Sequence, residues 1–424
     1  PCLRRVASRG QSLEVADIVH AAKERWEQTL VLAPEIRDVE RLVSELAGML
    51  PAGTTVAPYH SGLGPERALV HDAARQGAAD VLVGTRAAAF LPLSRPGAIC
   101  VVDEPDPAHR ADPGFEGIPL HVRELAQQRG GFEEAAVVML SPAPSLAVYA
   151  STKPRGSVLE LPAPEQESWP AARIVDMRGS GATLSRELLG QIRATLDGGS
   201  GRMIPTGAAA ERVRELLADE FEMEVGLLTA ESEKKSAARV VVGTAHALLK
   251  SSWEAVFIPD ADALLYASGV LADERAFRTL YSAAESAGSV LLAQTRTPET
   301  ETLPDALRGD YPAFARRELP RRRKAAYPPY HSLASLKLQG AEKEVRGAVE
   351  SALRNVNSRA EMLQPVPLDS EGVWRVVIRA GSRKEIAEAV FAAADIPAAG
   401  SRKATRAANG SVSRLEIELD PEEV

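Results

Sequence analysis

Ala98-Ile99-Cys100-Val101-Val102-Asp103-Glu104 is the stretch from which the fold can be read. Five consecutive apolar residues followed by two carboxylates describe a short strand buried on both faces, with a polar C-terminal end. The same form recurs on either side of it. Thr29-Leu30-Val31-Leu32-Ala33 is an apolar run ended by Pro34, Asp80-Val81-Leu82-Val83 runs into Gly84-Thr85, and Ala135 to Leu140 stops at Ser141-Pro142. Arg37 to Leu50 carries apolar residues at 39, 42, 43, 46 and 50, the spacing of one helix face. Buried strands alternating with helices give a parallel sheet, and their polar ends gather along its carboxyl edge, where such sheets place ligands.

A Pro/Glu-rich linker at 162–170 precedes a second series of the same kind. Arg173 to Asp176, Arg239 to Thr244 and Ala255 to Asp260 read as strands, and Glu211 to Phe221 as a helix. Val-Leu-Val-Gly-Thr at 81–85 is echoed by Val-Val-Val-Gly-Thr at 240–244, as in a duplicated architecture. Near 311 the texture changes. A charged helix from Tyr311 to Ala326 leads into Tyr327-Pro328-Pro329-Tyr330. Strand 333–338, helix 341–355, strand 373–378, helix 382–393 and strand 412–419 then predict a small α+β sandwich. The expected domains are 1–160, 171–310 and 311–424.

The chain has 424 residues, 45% of them hydrophobic, enough for several packed cores. Its formal charge of −8 excludes a uniformly basic nucleic-acid coat, but the charge is uneven. Tyr311 to Val424 holds 19 Lys/Arg against 15 Asp/Glu, a net of +4, which leaves −12 on residues 1–310. Any polyanion contact is therefore expected toward the C-terminus. Two cysteines, Cys2 and Cys100, are too few for a disulfide framework or a Cys-rich zinc site, so no metal is expected. With no secretory segment and no membrane-spanning apolar run, the expected compartment is the cytoplasm.

At a strand end, an Asp-Glu pair can hold magnesium with the first carboxylate and orient an attacking water with the second. Alone, Asp103-Glu104 reads as two solvated acids at a strand end. The wider series is more specific. In order come Val31-Leu32-Ala33-Pro34-Glu35-Ile36, His60-Ser61-Gly62-Leu63, Gly84-Thr85-Arg86-Ala87-Ala88, Val102-Asp103-Glu104-Pro105-Asp106 and Ser141-Pro142-Ala143-Pro144-Ser145. Gly243-Thr244, Asp260-Ala261-Asp262, Glu274-Arg275-Ala276-Phe277, Tyr327-Pro328-Pro329-Tyr330 and Leu415 to Pro421 follow. Taken together, in this order and over nearly the whole chain, these segments resemble the primosomal protein N-prime (PriA) family of replication-restart helicases. The resemblance implies two RecA-like parallel-sheet helicase lobes followed by a small α+β C-terminal domain. It also implies ATP with magnesium and structural zinc as cofactors, and forked or single-stranded DNA as a partner. Single-strand-binding protein and the primosome and replicative-helicase-loading proteins are the protein partners implied.

Mapped onto this chain, the family's phosphate loop falls on Arg5 to Ser12, where only Gly10 and Ser12 keep the pattern and the lysine is Gln11. Backbone N–H groups must wrap the phosphates and a cation must meet the β/γ oxygens, so Arg5 and Ser8 in place of glycines and a neutral Gln11 weaken the site. The family's arginine fingers map onto Ser282 to Ser289, with Ser286 and Ser289 at the arginine positions. The zinc-binding insert is replaced by a cysteine-free passage from Gly198 to Gly207, of which Gly198 to Gly201 is read as a flexible linker, and the strand that precedes the insert in the family has nearly gone. The expectation is a scaffold that binds forked DNA without unwinding it, in which Asp103 and Glu104 are an inactive carboxylate pair and Gly10, Gln11 and Ser12 a degenerate phosphate loop. The alternatives are an active ATP-dependent 3′–5′ helicase with a non-standard phosphate loop, its cation supplied by Arg5 or Arg9, and a protein-interaction scaffold without DNA binding. The DNA contacts expected are Arg86, Arg321, Arg322, Arg323, Lys324 and Tyr327, with a second basic group at Arg379, Arg383, Lys384, Arg402, Lys403 and Arg406. A solvated helix face is the competing reading of the first cluster.

Overall fold

The computed structural model describes residues 1–424 except 111–120, 161–168, 199–200, 204–209, 229–237, 245–251, 268, 356–358, 369–371, 395, 397–411 and 420–424. The linker 162–168, His246 and the cations Arg402, Lys403 and Arg406 lie outside the described residues. The chain forms two compact units, one made of Pro1–Leu161 with Arg321–Glu422, the other of Pro162–Pro320.

In the first unit, seven strands make one parallel sheet: β1 (Cys2–Arg4), β2 (Gln28–Leu32), β3 (Val56–Tyr59), β4 (Val81–Gly84), β5 (Pro96–Val102), β6 (Ala136–Leu140) and β7 (Val158–Leu159). Their spatial order is β3-β4-β2-β5-β6-β1-β7. The helices α1 (Gln11–Lys23) and α2 (Ile36–Met49) bury Val15, Val19, Val39, Leu42 and Leu46 against Val31, Val83, Cys100, Val102 and Leu140. That core follows from the sequence pattern, a period near 3.6 laid on continuous apolar strands. Further along come α3 (Glu66–Gln76), α4 (Val122–Glu133) and α5 (Leu146–Thr152). Cys2 and Cys100 both lie in register with Val138, on the two strands that flank it. Two strand spacings separate them, about 9.5 Å, beyond the reach of a disulfide.

The second unit repeats the plan. Strands β8 (Ala171–Asp176), β9 (Gly201–Met203), β10 (Val225–Leu228), β11 (Val240–Gly243), β12 (Trp253–Ile258) and β13 (Ala287–Thr295) form a parallel sheet of order β10-β11-β9-β12-β13-β8. Position for position this matches β3-β4-β2-β5-β6-β1. The echoed Val-Gly-Thr occupies the same place in both sheets. Thr85 donates its N–H to the Tyr59 carbonyl across β3–β4, and Thr244 to the Leu228 carbonyl across β10–β11. A Cβ on Gly84 would sit 2.5 Å from the Tyr59 oxygen, and one on Gly243 would sit 2.1 Å from the Leu228 oxygen. Only glycine allows that approach.

One reading of this region is corrected. The linker expected over Gly198 to Gly201 ends in a strand: Gly201-Arg202-Met203 pairs with both β11 and β12 and fills an inner place in the sheet, while residues 199–200 lie outside the described residues. Three residues flanked by glycines carry too short an apolar signal to read as a strand, and the neighbouring strands impose it. The stretch Ser282 to Ser289 spans the end of a helix and the start of a strand. The helix Ala272–Ser286 passes directly into β13, so Ser289 lies inside a strand and donates its hydroxyl to the Glu254 carbonyl.

The tail beyond the helix Tyr311–Ala325 returns to the first unit as an antiparallel sheet. Its strands are β14 (Ser332–Gln339), β15 (Glu361–Met362), β16 (Val366–Pro367), β17 (Val373–Ala380) and β18 (Ser413–Leu419), with β14 between β17 and β18. The helices Glu342–Asn355 and Arg383–Ala394 bury Val345, Val349, Ile386 and Val390 against Leu336, Leu338, Val376 and Ile378. Strand-helix-strand-helix-strand is the order read from the sequence, with the short β15 and β16 added on β17.

Candidate nucleotide site and nucleic-acid surface

The carboxyl ends of β1, β6 and β5 lie side by side, and the loop after β1 leads through one 3₁₀ turn, Ser8–Gly10, into α1. This is the strand–loop–helix arrangement of a phosphate loop, with its interior filled by protein. Gln11 is buried (1% exposed) and grips Asp103 twice. Its Nε2 donates to Asp103 Oδ1 at 2.6 Å, and its Oε1 accepts the Asp103 backbone N–H at 3.0 Å. Asp103 itself sits at φ +48°, a left-handed conformation that costs a residue with a Cβ about 1 kcal/mol or more. Ser12, whose hydroxyl would meet a metal in an intact loop, donates to Glu45 instead.

Arg5 is turned away from the site. Only 4% exposed, it donates from Nε to the Pro142 carbonyl at 3.2 Å and pairs with Glu160 at 3.1 Å. Glu160 also accepts from the Tyr149 hydroxyl at 2.9 Å. A cation so engaged is not aimed at a phosphate in the loop. Of Arg9, only its place in the 3₁₀ turn is described.

Glu104 is fully buried and both its oxygens are taken. Oε1 accepts from the Arg123 guanidinium at 2.5 Å and from the Ser145 hydroxyl at 2.8 Å, and Oε2 accepts the Ser145 N–H at 2.9 Å. Ser145 caps α5, so the carboxylate links the end of β5 to the start of α5, with Arg123 of α4 closing the ring. Beside it, His109 Nε2 donates to the Val102 carbonyl at 2.7 Å. Burial lowers the His109 pKa and keeps the ring neutral. Arg123 and His109 carried no signal in the sequence: both stand outside the recognised segments, and only folding brings them to the strand end.

Burial pushes the Asp103 pKa up to about 6, against the lowering effect of the Gln11 hydrogen bond. A carboxyl whose folded pKa exceeds its unfolded value contributes stability that is present below the unfolded pKa and lost as pH rises through about 6. Asp103→Asn, which preserves the bond from Gln11, should therefore be more stable than the parent at pH 8, with the difference vanishing toward pH 4. Thermal unfolding at several pH values measures this, and equal melting temperatures at pH 8 would refute it.

The cations expected to meet DNA are not brought together as one face. Arg86 donates to the Ala108 and Arg110 carbonyls at 2.7 and 2.9 Å and so braces the segment after Asp106. Arg322 is buried (2% exposed) and donates to the Pro328 carbonyl at 3.4 Å, pinning the following turn. Arg321, Arg323 and Lys324 are exposed and Tyr327 is half-buried. Arg317 is paired with Asp305 and Glu301. Of the second basic group, the three described members are each paired: Arg379 with Glu361, Lys384 with Glu388 and Arg383 with Glu124 on α4. No helix among the described residues is long and apolar enough to cross a membrane.

The arrangement can be set against known proteins. Residues 323–422 match the primosomal protein N C-terminal domain. Replication restart protein PriA of Synechocystis sp. is 24% identical over 81% of the chain and 53% of its own length. That of Thermotoga maritima is 22% identical over 80% of the chain and 57% of its own length. The chain thus spans little more than half the length of these relatives. A variant of S. cerevisiae Dbp5 bound to RNA and ADP BeF3 shares the fold at a TM-score of 0.50 and 13% identity, over 76% of this chain and 88% of that one. Two parallel α/β units of one plan, a C-terminal domain that matches the primosomal protein N model and relatives that match across most of the chain lead to one conclusion: the chain is similar to the PriA replication restart proteins.

Proposed function

We propose that this chain is a replication-restart factor that binds forked or single-stranded DNA and recruits primosome proteins, single-strand-binding protein among them, as a helicase-like scaffold that does not unwind DNA. One observation carries the reading: Gln11 fills the phosphate loop and holds Asp103, where a nucleotide site needs a cation and a free carboxylate. The occupied oxygens of Glu104 and the serines Ser286 and Ser289, where the family resemblance places arginines, support it independently. Arginine fingers contribute about a thousandfold or more to turnover, and Ser286 and Ser289 occupy the positions onto which the family's arginines map. With magnesium and ATP, phosphate release should stay at background with or without forked DNA. DNA-stimulated release that disappears in Asp103→Asn would restore the helicase reading.

DNA affinity is assigned to residues 311–424, the part of the chain with net positive charge. The exposed cations Arg321, Arg323 and Lys324 are its centre. Phosphate contacts release counterions, so binding should fall steeply with salt. Changing these three residues to Ser should weaken binding to all sequences alike and flatten the salt slope by up to about three. Labelled forked DNA titrated at several salt concentrations provides the measurement. A triple variant with the parent's affinity and slope would leave the segment a solvated helix face.

A further inference from the structure

Resting on the DNA-binding reading above, we infer that Arg323 and Tyr330 form a stacking platform for a nucleobase, which makes single-stranded nucleic acid the ligand of this surface. The Arg323 guanidinium lies 4.5 Å over the centre of the Tyr330 ring. Arg323 is exposed and Tyr330 half-buried, so the tyrosine backs the guanidinium on one side and the other side faces outward. A planar cation held over an aromatic ring presents a delocalised surface on which a base can stack without regard to its identity.

The support beneath this pair is built. The helix Tyr311–Ala325 ends at Ala326, in a left-handed conformation at φ +55°. The Tyr327 N–H then returns to the Arg322 carbonyl at 2.9 Å, and the Tyr330 N–H returns to the Tyr327 carbonyl at 3.0 Å. Buried Arg322 holds the Pro328 carbonyl from below. Neighbouring arginines thus divide the work, Arg322 fixing the turn and Arg323 lying on it. Duplex DNA keeps its bases stacked on one another, whereas single strands offer them free. Arg321 and Lys324, exposed on the same helix end, stand where a backbone that delivers a base to Arg323 can be met.

The test uses the full chain, labelled oligo-dT and an abasic deoxyribose-phosphate oligomer of equal length. The parent should prefer oligo-dT by about five- to a hundredfold, the range of one stacked base. Arg323→Lys keeps the charge and loses the plane. It should abolish that preference while leaving affinity for the abasic oligomer and its salt slope unchanged. Tyr330→Leu should do the same. Arg321→Ser with Lys324→Ser should weaken both oligomers together and keep the preference. A parent that binds both oligomers equally, or an Arg323→Lys protein that keeps the full preference, overturns the platform and leaves phosphate binding standing. Binding of neither oligomer brings down the DNA reading and the platform with it.

Discussion

Replacing Arg123 by Met should destabilise the first unit by about 3–5 kcal/mol, the cost of leaving a buried charge without its partner. Glu104 has no exposed surface, and Arg123 is the cation at its Oε1. In the variant, Ser145 alone would face the carboxylate, through its hydroxyl and its N–H. Glu104→Gln in the same background should recover most of the loss, because a neutral amide no longer needs the guanidinium. The two changes are therefore expected to be strongly non-additive. Urea unfolding read by hydrogen exchange at β5 and β6 gives the number. A loss below about 1 kcal/mol for Arg123→Met, or additive single and double variants, would mean that the pair is worth no more than a surface ion pair. The result bears on function. If Glu104 is a structural fastener between β5, α4 and α5, its presence is no remnant of water activation, and changing it should alter stability without altering any turnover.

The strand-end carboxylates show how far the sequence could lead. The apolar run before Asp103 fixed a buried strand, and the position of two acids at its end placed them on the carboxyl edge, as the structure has them. What they do there is decided by partners far along the chain: Gln11 for Asp103, Arg123 and Ser145 for Glu104. Neither spacing nor composition links these residues, since the sheet order β5-β6-β1 brings them together only after folding. The same holds for the basic segment. Arg321 to Lys324 reads as four equal cations, yet a helical repeat turns consecutive side chains about 100° apart, so one of the four had to point inward. That one is Arg322.

Strands were legible in proportion to their apolar length. β2, β5 and β6 announce themselves, as do β8, β11 and β12, whereas β1 with three residues and β9 with three are held by their neighbours more than by propensity. β13 was obscured for a different reason. Its first residues fall within the stretch onto which the family's finger motif maps, and Ala287 to Ser289 lack the large apolar side chains that mark Val290 to Leu292 as sheet. In this chain the helix ends on Ser286, whose buried hydroxyl donates to the Ala283 carbonyl, and the strand begins at the next residue.

Gln28 is the second residue at which a single change should have a large effect, and it lies at the opposite end of the sheet from the nucleotide loop. It is 2% exposed, at the first position of β2. Its Oε1 accepts the N–H groups of Ser94 and Arg95 at 2.7 and 3.1 Å, and its Nε2 donates to the carbonyls of Ala74 and Ala79 at 3.2 and 2.8 Å. One amide thus satisfies four backbone groups from the end of α3, the segment before β4 and the approach to β5. Leu in its place keeps the volume and strands the Ser94 and Arg95 N–H groups and the Ala79 carbonyl, while the Ala74 carbonyl keeps the Gly77 N–H. At about 1–3 kcal/mol for each buried group left unpaired, and with some relaxation, the loss should be about 3–5 kcal/mol. Glu should cost at least as much, because a carboxylate can still accept from Ser94 and Arg95 but sets a charge against two carbonyls. Gln294 is the corresponding fastener of the second unit, bonded to Ser185, Thr183 and Pro259, so the Gln28 variants should leave that unit's exchange protection unchanged. DNA affinity measured well below the unfolding temperature should also be unchanged, since the binding surface is assigned to residues 311–424. Thermal unfolding with hydrogen exchange on α3 and β5 checks the prediction. A Leu variant within about 1 kcal/mol of the parent, or a Glu variant more stable than the Leu one, would show that water or local rearrangement can satisfy these groups, and that β2 needs no buried amide to join α3, β4 and β5.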